Sequence, residues 1–151
     1  MHRRPLGRGR TLATLAGVAI VVGSILPWWR LGGGTGIPAV SGNAFEGSGI
    51  IVFLAGVATL ALVALPYALG DRPTGLDRSL SFAILSVAGW IGFTWRLLEL
   101  SGVTGIGFPG AFRFTDPTQV LTNGPGLWLA AIGLVILSRA AYQMTREPLY
   151  R

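Results

Sequence analysis

The stretch "GIIVFLAGVATLALVALPYAL", residues 49–69, carries no charged side chain from end to end. At a helical rise of about 1.5 Å per residue it extends about 30 Å, the depth of a bilayer's hydrocarbon core. Three further runs share its character. They are "TLATLAGVAIVVGSILPWW" (11–29), "SLSFAILSVAGWIGFTW" (79–95, continuing to about residue 98) and "PGLWLAAIGLVILSRAAY" (125–142). None has a charge at its centre. Only 12% of the 151 residues are charged and 51% are hydrophobic, whereas soluble domains carry about 25% charged residues. The mean hydropathy is +0.60. These observations predict an all-α integral membrane domain of four transmembrane helices over residues 11–142. A basic segment, 1–10, precedes it and a tail, 143–151, follows.

The positions of the cations set the direction. All twelve are arginines. Nine lie in the N-terminal segment, the 70–78 connector and the tail end, while Arg30, Arg96 and Arg113 fall on the opposite side. Cytoplasmic loops carry the excess of basic residues, so both termini are expected in the cytoplasm, with the chain multi-pass in the inner (cytoplasmic) membrane. The high isoelectric point is then a topology signal that also suits anionic lipid, and no nucleic-acid partner is expected. The first run has no small-x-small cleavage site near "SILPWWRLGG", which predicts a retained signal anchor.

A weak internal repeat runs through the chain. A shift of 66 places Trp29–Arg30 on Trp95–Arg96, and a shift of 77 places Gly47, Gly49 and Gly56 on Gly124, Gly126 and Gly133. Each half then reads as a helix, an external loop and a returning helix, giving two parallel helical hairpins. Short strands are expected in the external loops, for instance in the alternating "GAFRFTD" at 110–116, read from apolar and polar alternation. Pro66 predicts a kink or the end of the second helix.

Candidate site residues gather near the outer ends. Trp28, Trp29, Trp95 and Trp128, with Tyr67 and Tyr142, are expected in the interfacial aromatic belt, and Trp90, near mid-span, against another helix. Arg30 and Arg96 can reach the headgroups along their aliphatic stems. An alternative is an external polar cluster of Arg30, Asn43, Glu46, Arg96 and Glu99 that meets a ligand or partner. Glu99, three residues after Arg96, shares its helical face. Ser41 or Asn43 can cap the next helical segment, and Glu46 stands near a helix N-terminus. Phe108, Phe112 and Phe114 in the second external loop would pack on the bundle, dip into the interface or meet a partner.

Catalytic chemistry fails on inventory. There is no cysteine, and the one histidine is His2, so neither a His-based triad nor a zinc set can be assembled. "GGGTG" (32–36) lacks the Gly-Lys-Ser/Thr ending of a phosphate loop. No enzyme activity, cofactor or metal is expected. Proton or ion transport asks for ionisable groups inside the spans, where the deep interior offers Ser24, Thr59, Ser86 and Thr94, with Arg96 and Arg139 toward the ends and Arg139 able to snorkel to the cytoplasmic interface.

The combination of "LPWW" (26–29), a glycine-rich loop and "NAFEGSGIIVFLAG" (43–56) resembles the SPW-repeat membrane proteins, small bacterial proteins built from two helical hairpins. Leu26 stands where those proteins have serine, and "FTW" (93–95) where a second copy would have Pro-Trp. The resemblance implies the four-helix architecture and brings no activity with it. The expectation is a non-catalytic accessory or assembly subunit, lodged in the lipid bilayer and docked on a membrane-protein partner or a second copy of itself. The alternative is a lipid- or small-hydrophobic-ligand-binding protein that uses the outer Trp/Arg/Glu cluster, and a third reading is self-assembling transport.

Overall fold

The computed structural model describes residues 8–31, 40–69, 78–100 and 124–146. It is mostly helical, with α1 at Arg8–Ile25, α2 at Ile50–Leu69, α3 at Arg78–Leu100 and α4 at Pro125–Arg146. All four are long and apolar enough to cross a membrane. The loop "GAFRFTD", the Phe108, Phe112 and Phe114 side chains and the 70–77 connector lie outside the described residues.

The first helix is shorter at its far end than the apolar run. Leu26 N–H still donates to Val22 O at 3.0 Å, but Pro27 has no N–H to continue the ladder, and its ring disfavours helical geometry in the residue before it. Trp28 and Trp29 therefore leave the helix. The chain turns into β1 (Trp29–Leu31), which pairs antiparallel with β2 (Val40–Gly42), Trp29 facing Gly42 and Arg30 facing Ser41. A 3-10 turn at Ala44–Glu46 follows, capped by Asn43, whose Oδ1 accepts from Phe45 N–H at 3.0 Å. The carbonyls of Gly47, Ser48 and Gly49 then take the first N–H groups of α2 at 3.0–3.2 Å, so that helix starts with its free donors satisfied. Pro66 sits inside α2, which continues to Leu69; it neither ends the helix nor stops its last turn.

The helices close into a ring, with α1 against α2 and α4 and α3 against the same two. Adjacent helices run antiparallel, because Gly17 meets Leu60 while Ile20 meets Gly56, and Gly23 meets Ala130 while Ile20 meets Gly133. The α1–α4 contact is backbone on backbone. A methyl group on Gly23 would lie 2.5 Å from Ala130 N, and one on Gly133 2.9 Å from Ile20 N. Close approach of this kind lets helices gain dispersion energy where no water is expelled between them. The start of α4 is tied to the end of α1 by Gly126 N–H donating to Pro27 O at 3.0 Å.

Burial is arranged differently from that of a soluble bundle. Small residues and hydroxyls, among them Ala13, Ala16, Ser24, Thr59 and Ala130, share the interior with Ile20, Trp28, Phe93 and Leu134, while other large aliphatics face outward on every helix. Leu15, Leu54, Val87 and Val135 are each more than 40% exposed. Ser24 and Thr59 bond back to the carbonyls of Ile20 and Ala55 at 2.8 and 2.7 Å, which hides their polarity within the helix.

Matched halves of the sequence are not matched in environment. Trp29 is buried and Arg30 exposed, but Trp95 is exposed and Arg96 buried. The first pair lies on a strand after Pro27, where neighbours alternate between faces; the second lies on a helix. Gly56 and Gly133, related by the shift of 77, both receive the same side chain, Ile20.

Candidate functional site

Three of the polar groups singled out from the sequence, Glu46, Arg96 and Glu99, come together at the end of the bundle where α1 and α3 finish and α2 begins. Arg96, in the next-to-last turn of α3, is only 1% exposed. Its Nη1 donates to Glu99 Oε2 at 3.0 Å, and its Nη2 lies 3.8 Å from Glu46 Oε2. Ser48 N–H also donates to Glu99 Oε2, at 3.3 Å. The ion cluster thus joins α3 to the 3-10 turn and to the entrance of α2. A buried guanidinium without carboxylates would bear a large desolvation cost, and the two acids offset it.

Two glycines make room for these charges. A methyl group on Gly47 would collide with Arg96 Nη1 and come within 2.6 Å of Glu99 Oε2. One on Gly42 would collide with the Glu46 carboxylate and lie 2.5 Å from the Trp29 indole. The "GNAFEG" segment, 42–47, is therefore shaped around the cluster, with a glycine at each end.

Two sequence expectations are corrected here. Arg96 does not extend along its stem to the surface: α3 continues to Leu100, so the side chain stays beneath the 3-10 turn, where Glu46 and Glu99 meet it. Trp28 and Trp29 are not belt residues, being 0% and 4% exposed. The chain turns at Pro27 and folds both over the bundle, away from the lipid-facing line on which helical continuation from Val22 and Ile25 would have set Trp29. The indole of Trp28 then does a specific job. Gly23 O is the carbonyl that the N–H of residue 27 would normally take, and Pro27 has none. Trp28 Nε1 donates to it instead, at 2.9 Å, so a proline and its neighbouring tryptophan complete one helix end between them.

From Trp28 an aromatic chain runs through the interior. Its ring meets Phe93 at 5.5 Å between centroids, and Phe93 meets Trp90 edge to face at 5.7 Å, both favourable geometries. Trp90 Nε1 donates to Ser138 Oγ at 3.0 Å, so the mid-span tryptophan does pack against another helix. Ser138 Oγ also donates to Leu134 O at 2.9 Å and lies 2.8 Å from Ser86 Oγ. A hydroxyl has one proton to give, so Ser86 is the donor in that contact. Ser138 links α3 to α4 with its full bonding capacity used.

Other expected residues stand apart. Arg30 is exposed on β1, across from Ser41. Asn43 is occupied by its cap. Trp95 and Trp128 are 47% and 52% exposed, in keeping with an interfacial position. Sequence reasoning missed Ser138, Gly42 and the contact of Gly47 with the ion cluster. Ser138 is masked by the adjacent Arg139, and only the i, i+4 spacing from Leu134 hints at its role.

Chemically, the cluster holds one guanidinium and two carboxylates directed at it. Ser48, whose N–H bonds Glu99, brings a buried hydroxyl beside them, and among the described residues no three His, Cys, Asp or Glu side chains gather to hold a metal. The arrangement is suited to clamping the turn onto the bundle. No family model, curated protein or solved structure matches the chain.

Proposed function

We propose that this chain is a non-catalytic integral membrane protein that serves as an accessory or assembly subunit of a larger membrane complex. The observation that carries the reading is the enclosure of Arg96. Its charge is spent on Glu46 and Glu99 inside the protein, so the outer Trp/Arg/Glu cluster acts as scaffold rather than as a reception site for a ligand. What the described residues offer outward is apolar helix surface on all four sides, suited to lipid and to other helices.

In this reading the bundle spans the inner membrane as two helical hairpins, with both termini and the 70–77 connector in the cytoplasm. The distribution of arginines supports that direction, and the resemblance of "LPWW" to the SPW-repeat proteins accords with it. The β1–β2 hairpin, the ion clamp and the second external loop then face away from the cytoplasm, and Phe108, Phe112 and Phe114 are the partner-contacting groups of that loop. Purification from the native membrane in a gentle detergent, with mass spectrometry of the co-eluting material, tests the proposal. Stoichiometric larger subunits are expected. A homogeneous species containing this chain alone with a bound quinone, pigment or other small hydrophobic molecule would refute the accessory role.

A further inference from the structure

The outer face of α4 has a composition that changes along its length. Trp128, Ile132, Val135, Arg139, Tyr142 and Arg146 recur at intervals of four and three and form one exposed line. The line begins with an indole, continues through two aliphatics and ends in guanidinium, phenol and guanidinium. Arg139 lies seven residues before the end of the helix, or about 10 Å inside it at helical rise. Arg146 places its Cζ 4.6 Å from the centre of the Tyr142 ring, which holds that cation over the aromatic face.

The neighbouring helix adds to the same end. Gly23 faces Ala130 and Ile20 faces Gly133; extending this antiparallel register brings the exposed Arg8 of α1 level with Thr145. Arg8, Arg139 and Arg146 are thus concentrated at one end of the α1–α4 pair. Among the described residues the ion pairs are both at the opposite end, on Arg96, and no carboxylate stands beside these three arginines. An arginine on a lipid-facing line, more than a turn inside the span, extends its stem toward the headgroup level, where a phosphate can meet it. Planar guanidinium groups match the paired oxygens of a phosphate.

We infer that this end of the α1–α4 face binds an anionic phospholipid. The phosphodiester lies among Arg139, Arg146 and Arg8, and the acyl chains run along Ile132 and Val135 toward Trp128. A zwitterionic headgroup fits less well, because its own cation would meet the same guanidinium groups. The inference rests on the membrane-spanning reading given above and concerns the end of the bundle remote from the Arg96 clamp.

The test uses the full chain reconstituted into bilayer discs of phosphatidylcholine with a minor share of phosphatidylglycerol. The chain is then re-extracted in mild detergent and weighed with its retained lipid by native mass spectrometry. Phosphatidylglycerol should be retained above its share in the disc. Arg139→Gln and Arg146→Gln should each lower that retention about fivefold, the factor expected for one basic residue at an anionic surface. Arg139→Lys should preserve most of it. Excess inorganic phosphate should not displace the lipid, because the acyl chains hold it as well. Retention in proportion to the disc composition, indifference to both glutamine variants, or displacement by phosphate alone would each overturn the inference. Both arginines are exposed, and unchanged helical circular dichroism would establish that the variants are folded. A chain released from native membranes by alkaline carbonate would instead refute the spanning reading, and the inference with it.

Discussion

Replacing Arg96 with methionine would leave two carboxylates facing each other at the end of the bundle with no cation between them. Glu99 bears most of the consequence. Its side chain is 10% exposed and its Oε2 is the atom that receives Arg96 Nη1 at 3.0 Å. Glu46, 36% exposed and 3.8 Å away, can turn to solvent, so its pairing is worth at most about 1 kcal/mol. Removing one partner from a buried pair costs about 3–5 kcal/mol, chiefly because the other charge stays buried and unpaired. That is the loss expected for Arg96→Met. Combining it with Glu99→Gln removes the stranded charge and should recover more than half of the loss, while Glu46→Gln alone should change stability by less than about 1 kcal/mol. The measurement is reversible unfolding of the purified protein in mixed micelles with increasing denaturing detergent, followed by helical circular dichroism. Equal stability of Arg96→Met and the wild type would refute the clamp. So would a double variant no more stable than Arg96→Met, since the loss would then come from packing rather than charge.

Three other substitutions probe the interior by the same unfolding assay. Trp28→Phe keeps the ring contact with Phe93 but leaves Gly23 O without its donor, and should cost about 1–3 kcal/mol; an unchanged midpoint would mean that the carbonyl finds another partner. Ser138→Ala leaves Trp90 Nε1 and Ser86 Oγ without their shared acceptor and should cost about 1–2 kcal/mol, with a red-shifted or broadened tryptophan emission as its signature. Gly133→Ala would place a methyl group 2.9 Å from Ile20 N and 3.1 Å from Ala16 O. Because backbone cannot yield as a side chain can, the α1–α4 contact should open at a cost of about 1–3 kcal/mol, and a neutral result would show that the two helices are not held at this distance.

How far the structure was legible in the sequence depended on the range of the interaction concerned. Apolar runs of membrane-spanning length, with no charge at their centres, were enough to place α2, α3 and α4, because length and hydropathy are local properties. The pairing of Arg96 with Glu99 was legible for the same reason, being set by three residues of helical spacing. The role of Glu46 was not, since it depends on where β1, β2 and the 3-10 turn carry the chain. Trp28 and Trp29 were misread because interfacial preference was applied to residues still assumed to be helical. The proline beside them, which removes one donor and bends the chain inward, outweighed that preference. Gly42 carried no signal in a chain with 23 glycines, and Gly47 only its match to Gly124; the neighbouring charges reveal why those two positions have no side chain.

The absence of cysteine from the sequence makes the central claim directly accessible. Single cysteines at Ser41, exposed on β2, and at Thr145, exposed in the last turn of α4, can be treated in intact cells with a membrane-impermeant maleimide, with and without permeabilisation. A bundle that crosses the inner membrane with its clamp outside and its arginine-rich end inside predicts labelling of Ser41→Cys in intact cells and of Thr145→Cys only after permeabilisation. Labelling of both in intact cells, of neither, or in the reverse order would contradict it.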